Sequence, residues 1–581
     1  MRVTHTLLAA LLLAGATPAP GQDVGRWGPV AIVTPAGDTL AADTTRITVP
    51  ERHGASAGAT VSLPILRIRS TAARPGTPVV YLAGGPGNSG LASVRGDILP
   101  VLRALRERAD VVVHDQRGTG AARPSLAVPR TMGVPLDAPL HSERAREGLL
   151  AAAAAAAADV RARGIAPGAY NTEESAEDLE HVRRALGAER IVLWGHSYGS
   201  HLAFAYLRRH AARVERLIVG GVNGPDQRRR DPADGDVVLA RIDSAVRGTP
   251  RLAALLPDFR GTLQRVLARL DTAPRTVRVD TTDVLVGGDE VRTLIALLGG
   301  EQEFVQALPM RVGEMDAGDF AAVARGVRDA IKGRPLGTAM TYLMDMSAGV
   351  SDARAARIRA NAPRSVLRNA INFPLGDSAY AAAWGVAVLP DAYRAPLVSG
   401  VPTLFISGTL DFRTSVSDAE EVRRGFRNSG HLVVAGAAHM PYALSVELRD
   451  EIVRFVAGGA PRSRVLRVRP VFRGPDEARL VGELTALARE QGGEAAVRRL
   501  HAVAQAPGSY VSPYVARNAA QALRAAGQGR EAAALLLGAV ELFPDDAVVL
   551  LRAAEAAAAL QLHDRARALA RRALAADPLN R

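Results

Sequence analysis

Residues 191–200 read IVLWGHSYGS. Four apolar residues run into Gly-His-Ser-Tyr-Gly, and SHLAFAYLRRHA follows at helical spacing. In a chain with 55 glycines a bare Gly-x-Ser-x-Gly match carries little weight. A second copy, GASAG at residues 54–58, makes the point: it leads into the strand-like TVSLPILRI, reads as a hairpin loop, and no helix follows it. Around Ser197 the context differs. A buried strand enters, a tight turn carries the serine, and a helix leaves. Gly195 and Gly199 remove side chains that would strike the neighbouring strand and helix at so sharp a turn. The segment predicts a serine nucleophile raised at the end of a strand.

Working outward, TTRITVP, SLPILRIRS, TPVVYLAGG and ADVVVHDQRG predict strands on the N-terminal side, and Ala151–Ala158 falls in a polyalanine helix. Asn171 is placed to cap the helix that follows, with Glu174 as its reciprocal partner and Gly187 closing it. VERLIVGGV predicts the next strand. Strands alternating with helices indicate an α/β class: a doubly wound, mostly parallel sheet covered on both faces. From about Pro225 to Leu397 the strand rhythm mostly stops and the pattern is largely helical, as a cap inserted between two halves of one sheet would read. Strand patterns return in VPTLFISGTLD and GHLVVAGAAH.

From Pro461 the chain is alanine-rich and helical. Pro544 and Pro578 lie 34 residues apart, as do Ala532 and Ala566, Ala539 and Ala573, and Ala520 and Ala554. That period resembles tetratricopeptide repeats, with units at 513–546 and 547–580 and a degenerate third before them, since Gly493 lies 34 before Gly527. Such an all-α tail offers a concave surface to a protein partner. At the other end, Arg2 and the apolar run Leu7–Ala16 read as a cleaved signal peptide, too short to cross a bilayer, which implies a periplasmic or secreted protein without stable membrane insertion. The expected divisions are 1–22 signal peptide, 23–224 first half of the core, 225–397 cap, 398–460 second half of the core, and 461–581 tail.

Composition narrows the chemistry. At 581 residues the chain is too long for one core. It has no cysteine, which removes disulfides, a thiol nucleophile and cysteine–zinc sites. The formal charge of +13 is carried by arginine, Lys332 being the one lysine. The arginines are scattered among acids and aromatics are only 4%, a composition that argues against nucleic-acid binding.

A serine hydroxyl needs a base to take its proton and a third group to orient that base. In a doubly wound hydrolase sheet these follow in the order Ser, acid, His, each past the C-terminal end of a strand. Ser197 follows IVLW, Asp411 follows TLFISGTL, and His439 follows HLVVAGAA. The stretch between Asp411 and His439 holds one helix and one strand, the crossover a parallel sheet requires. Asp418 competes with Asp411 but does not sit directly off the strand. His431 begins its strand at the wrong end, and His196 is locked beside the nucleophile. The oxyanion of a tetrahedral intermediate needs donors. Tyr198 N–H supplies one, and YLAGGPGNSG supplies the other from Gly85, or alternatively Gly84, with Pro86 stiffening the loop. No metal or cofactor is called for.

GGPG, DQRGTG, GHSYGS and SGTLD…AGAAH, in this order, resemble the proline iminopeptidase and tripeptidyl aminopeptidase family of α/β-hydrolases. YNTEESAEDLEHVRRALG is similar to the helix before the nucleophile in the tripeptidyl aminopeptidase branch. The resemblance covers roughly residues 30–460. It implies Ser197 as nucleophile, Asp411 as acid, His439 as base, Gly85 and Tyr198 as the oxyanion hole, and a bracing role for Asp115–Gly118. The chain departs from the family at Ala83, often His, and at Thr414-Ser415, often Thr-Pro. The family's peptidases bind the substrate's free amine through acidic cap residues, which makes Glu301, Glu303, Glu314, Asp316 and Asp345 the candidates. The expectation is an exported serine aminopeptidase acting on short peptides. The alternatives are a carboxylesterase for small esters and a non-catalytic scaffold that binds partners through its tail.

Overall fold

Ten strands make one sheet, described here from a computed structural model that covers residues 25–34, 37–55 and 58–576. The expected signal peptide lies outside these residues. The strands are β1 (Gly28–Val33), β2 (Thr39–Pro50), β3 (Thr60–Ile68), β4 (Gly76–Leu82), β5 (Ala109–His114), β6 (Ile191–His196), β7 (Val214–Gly220), β8 (Thr403–Gly408), β9 (Ser429–Ala435) and β10 (Arg464–Arg467). Their order is β1-β2-β3-β5-β4-β6-β7-β8-β9-β10. The first three pair antiparallel, and β3 meets β5 antiparallel. From β5 onward every neighbour is parallel. Parallel strands lie between two layers of helix, so they are apolar on both faces: every residue of β6 and of β8 is buried. The second Gly-x-Ser-x-Gly copy falls in the connection between β2 and β3, which pair from Pro50 opposite Thr60.

The helices follow from their caps and faces. Helix α1 (Thr172–Ala185) starts where the Glu174 N–H donates to the Asn171 side chain at 3.0 Å. The reciprocal half of that box is not made, because the Glu174 carboxylate accepts the His53 N–H instead (2.8 Å). Helix α2 (Tyr198–His210) leaves the turn at Ser197 and is buried from Tyr198 through Leu207. The cap includes α3 (Gln302–Asp316) and α4 (Met340–Ala348), and α5 (Val416–Arg423) joins β8 to β9.

The cap is not purely helical. Arg275–Val279 and Thr282–Val286 form an antiparallel hairpin, and Pro335–Thr338 pairs with Ala127–Thr131. The alternation in TVRVDTTDVLV carries the hairpin's signal at period two, although it is short beside the helices around it. Lys332 fastens this region to the core: its ammonium donates to the Leu136, Ala138 and Leu285 carbonyls and faces Glu290 at 3.2 Å.

The expected boundary at 460/461 is corrected. Strand β10 extends the sheet beside β9, with Leu432 opposite Arg464 and Ala435 opposite Arg467, and Phe472 is buried in the main core. The strand escaped notice because it is a four-residue edge strand in which only Leu466 is buried; RVLR shows one apolar residue turned inward and no alternation long enough to read. The all-α tail follows as three helix pairs: α6 (Glu477–Gln491) with α7 (Gly493–Gln505), α8 (Pro513–Ala525) with α9 (Gly529–Ala539), and α10 (Ala547–Ala559) with α11 (His563–Ala576). The last two pairs begin 34 residues apart, at Pro513 and Ala547, whereas the first begins 36 residues before the second, at Glu477. Small buried residues, Ala516, Ala519, Ala532, Ala539, Ala553 and Ala557, let the helices approach. The tail rests on the cap, where the Tyr514 hydroxyl donates to Gln306 of α3 (2.9 Å).

Leu466→Ala tests the corrected boundary. Truncating a buried edge-strand leucine should lower the unfolding free energy by about 3 kcal/mol in urea titration, whereas a residue in an independent helical tail would leave the transition of the sheet-bearing core unchanged.

Candidate active site

Ser197 sits where β6 turns into α2, with φ 55° and ψ −123°. A residue with a side chain in that region stores about 1–3 kcal/mol of strain. The surroundings impose it. A Cβ on Gly195 would lie 2.3 Å from the Gly199 carbonyl oxygen, and one on Gly199 would lie 1.9 Å from that of Leu82. Both contacts are with backbone, so only glycine permits the turn. The Ser197 N–H donates to the Gly220 carbonyl (2.8 Å), and its own carbonyl accepts the Ser200 hydroxyl (2.6 Å). Among the described residues the Ser197 hydroxyl makes no hydrogen bond, so it is held in place through its backbone alone.

Asp411 and His439 meet on the same rim. His439 Nδ1 lies 2.7 Å from Asp411 Oδ2. A carboxylate only accepts, so Nδ1 carries a hydrogen toward Asp411, which leaves Nε2 as the acceptor whenever the ring is neutral. Asp411 Oδ1 accepts the N–H groups of Arg413 (2.7 Å) and Thr414 (3.2 Å), and Oδ2 also takes the Thr414 hydroxyl. Burial alone would raise the Asp411 carboxyl, but the His439 charge and these hydrogen bonds outweigh it and hold the group below its ordinary value. His439 packs against Gly221, just past the end of β7, where a Cβ would stand 2.8 Å from His439 Cε1. Gly221 directly follows the residue whose carbonyl holds the Ser197 N–H. The structure thus gathers Ser197, Asp411 and His439 at the C-terminal rim of β6, β8 and β9.

The competing residues are engaged elsewhere. Asp418 pairs with Arg354 (2.6 Å). His431 Nε2 meets Ser407 at 3.0 Å and its Nδ1 meets Glu420. His196 Nδ1 meets the Tyr442 hydroxyl (3.0 Å), and burial, with the His439 charge behind it, keeps the ring well below the ordinary histidine value and hence neutral.

Opposite the nucleophile lies the β4 loop. A Cβ on Gly84 would be 3.0 Å from Ser197 Cβ, so the loop passes directly against the serine at this glycine. Among the described residues the N–H groups of Gly84, Gly85 and Tyr198 have no acceptor. Asp115 braces this loop through the Ser89 hydroxyl (2.6 Å), the Leu91 N–H (3.1 Å) and the Ala121 N–H (2.7 Å). Gln116 donates to the Ala83 carbonyl (3.1 Å), and Arg117, wholly buried, pairs with Asp178 (2.6 Å). Asp115–Arg117 therefore act on the loops and do not face the nucleophile.

The cap grips the rim. The Gly300 carbonyl accepts the His439 N–H (3.1 Å), and the Gln302 side chain accepts the Ala438 N–H (2.7 Å). Of the five acidic cap residues, Asp345 is buried and paired with Arg228, while Glu301 pairs with Arg413 at the rim (2.8 Å). Glu303 is exposed. Glu314 and Asp316 pair with Arg311 and Arg269 at the far end of α3. Sequence reasoning missed Gln302 and noted Thr414 only as a departure; a threonine three residues past the acid is the one signal that was available. Among the described residues no cluster of His, Asp and Glu is arranged to hold a metal ion.

A family model described as alpha/beta hydrolase fold matches residues 77–244. The chain is similar to serine protease Hip1 of Mycobacterium tuberculosis, 27% identical over 34% of this chain and 38% of that one. It is also similar to a proline iminopeptidase of Neisseria meningitidis, 29% identical over 25% and 33% of the two chains. A tripeptidyl aminopeptidase of Streptomyces coelicolor is 28% identical over 31% and 35%. Each match spans less than two fifths of the relative's length. With the sheet order above, these findings give the chain an α/β-hydrolase fold with peptidase-named relatives.

Thr414→Val removes the hydroxyl that ties acid to base and should lower kcat about 10- to 100-fold with KM little changed; Thr414→Ser should restore most of it. Steady-state kinetics on any turned-over substrate checks both. Behind the acid, Asp234 receives the Ser417 hydroxyl (2.6 Å), while burial, followed by the Asp418 charge, raises its carboxyl to about 6. An acid raised in the fold releases its proton sooner when unfolded, so stability falls as pH rises between the ordinary value and 6. Asp234→Asn should gain roughly 2 kcal/mol at pH 8 relative to its effect at pH 4, read by urea unfolding at the two pH values.

Proposed function

We propose that this chain is a serine hydrolase that cleaves short peptides from a free N-terminus through an acyl-enzyme. One observation carries the reading: the hydrogen-bonded Asp411–His439 couple shares a rim with a strained serine whose hydroxyl is free, opposite unoccupied N–H donors. Ser197 Oγ attacks the scissile carbonyl as His439 Nε2 takes its proton, their hydrogen bond forming when substrate docks. The developing oxyanion is received by the Tyr198 N–H and by Gly85 or Gly84. The intermediate collapses, the C–N bond breaks, and the His439 proton passes to the leaving amine. Water, deprotonated by the same ring, then releases the acyl group. Asp411 stays ionised and holds the imidazolium.

The peptidase-named relatives support an amide as the scissile bond. For the substrate amine Glu301 is the cap acid at the rim, held there by Arg413 with its carboxylate largely exposed, whereas Asp345 is buried against Arg228. The apolar Leu7–Ala16 run supports export. The last two helix pairs, 34 residues apart, support tetratricopeptide-like repeats that present a surface to a protein partner.

A fluorophosphonate probe should label the wild-type protein and not Ser197→Ala, and the variant should lose activity by a factor on the order of 10⁵. Unblocked aminoacyl or tripeptidyl arylamides should be cleaved and their N-acetylated forms should not. Labelling of Ser197→Ala would remove the assignment, and equal cleavage of blocked substrates would remove the aminopeptidase.

A further inference from the structure

The loop leaving β7 reads NGPDQRRRD at residues 223–231. It is pinned first to the nucleophile's turn: the Asn223 N–H donates to Ser200 Oγ (2.8 Å), the hydroxyl that holds the Ser197 carbonyl. The Arg228 guanidinium lies 5.5 Å from the centroid of the Tyr198 ring. The loop then reaches the acid's side, where Arg230 Nε donates to the carbonyl of Arg413, the residue whose N–H holds Asp411. Three consecutive arginines thus run from the residue beside the nucleophile to the residue behind the acid.

Their charge is not balanced. Arg228 is 2% exposed and Arg229 8%, and Arg230 is partly buried. Buried guanidinium ions call for carboxylates. Asp345 of α4 supplies one, to Arg228. Among the described residues no carboxylate lies within ion-pair reach of Arg229 or Arg230, and the acids near them are committed, Asp418 to Arg354 and Asp411 to His439. Nε and Nη1 of Arg228 and Nδ2 of Asn223 are buried without a hydrogen bond. Burial first, then repulsion by Arg230, lowers Arg228 to about 9 and Arg229 to about 10. His201 registers the same field: burial, then the Arg228 charge, brings it to about 3. Of these three adjacent arginines, Arg228 alone meets a carboxylate.

We propose that Arg228–Arg230 is a recognition site for a carboxylate carried by the substrate, bound over Tyr198 beside the reacting carbonyl. The inference rests on Ser197 being the nucleophile. A carboxylate there would accept the two open N–H groups of Arg228 and supply the charge the loop lacks, while Asp345 keeps Arg228 compensated when the site is empty. The carboxylate can come from an acidic side chain on the acyl side of the scissile bond, or from the C-terminus of a di- or tripeptide.

Two matched pairs separate these sources: glutamyl against glutaminyl arylamides, and a tripeptide acid against its amide. The wild type should favour the carboxylate member of one pair by about 30-fold in kcat/KM. Arg228→Met should bring that ratio to within 3-fold (about), and Arg228→Lys should keep part of it. Ratios within about 3-fold for both pairs in the wild type, or a ratio that survives Arg228→Met, would overturn the proposal. Binding is read without turnover on Ser197→Ala, where glutarate should raise the melting temperature and the added Arg228→Met should abolish the rise; no rise overturns it. Should Arg228→Met not fold by circular dichroism, Arg229→Met takes its place in both assays. Failure of fluorophosphonate labelling at Ser197 would strike the catalytic reading alone, leaving the glutarate result to decide the anion site.

Discussion

The turn at Ser197 is set by a close approach of backbones. Helix α2 begins so near the end of β4 that a Cβ on Gly199 would stand 1.9 Å from the Leu82 carbonyl oxygen. That approach leaves Ser197 at φ 55° and puts its hydroxyl at the rim instead of inside the sheet. Everything chemical follows from it. The β4 loop with its free N–H groups lies opposite the serine because β4 and β6 are neighbours. The Gly220–Gly221 pair, which holds the serine's N–H and gives room to His439, is there because β7 is the neighbour on the other side. Local strain of a few kcal/mol is tolerated because the packing of fully buried strands over-determines the turn.

A second layer of constraint runs through the cap. Helix α3 begins at the triad loops, where Gln302 holds the residue before His439, and one turn later Gln306 meets Tyr514 of the tail. The Gly299 carbonyl accepts the Phe412 N–H and the Gly300 carbonyl the His439 N–H, so the loops of acid and base share one support. The cap therefore holds the Asp411 and His439 loops as well as covering them, and the tail touches the same helix. Around the triad the balance of charge is uneven. The acid is satisfied by His439, Thr414 and two backbone donors, while the basic loop beside it carries more charge than its partners cancel.

Much of this was legible in the residues. The strand entering Ser197 is buried on both faces, so its apolar run could be read directly, as could those of β8 and β9. Asp411 and His439 could be placed because each follows such a strand within a few residues. Asn171 announced α1 by the side-chain chemistry of a cap, although its reciprocal contact was lost to His53, a residue more than a hundred positions away. Strand β10 and the cap hairpin were hidden by length: four or five residues at a sheet edge bury too few side chains to impose a period. The close approach of Gly84 to Ser197 was not legible, because it depends on how the loop after β4 folds back over β6.

The sequence by itself determined the order of strands and helices, the glycines the nucleophile turn requires, and the residue types able to perform the chemistry, because each depends on neighbours within a few positions. The tertiary structure alone decided which groups meet: Thr414 between Asp411 and His439, Gln302 against the His439 loop, and Asp345 against Arg228. Those contacts join segments separated by tens to hundreds of residues. Their energies depend on burial and on the partners that burial leaves within reach, and no local pattern of side chains records either.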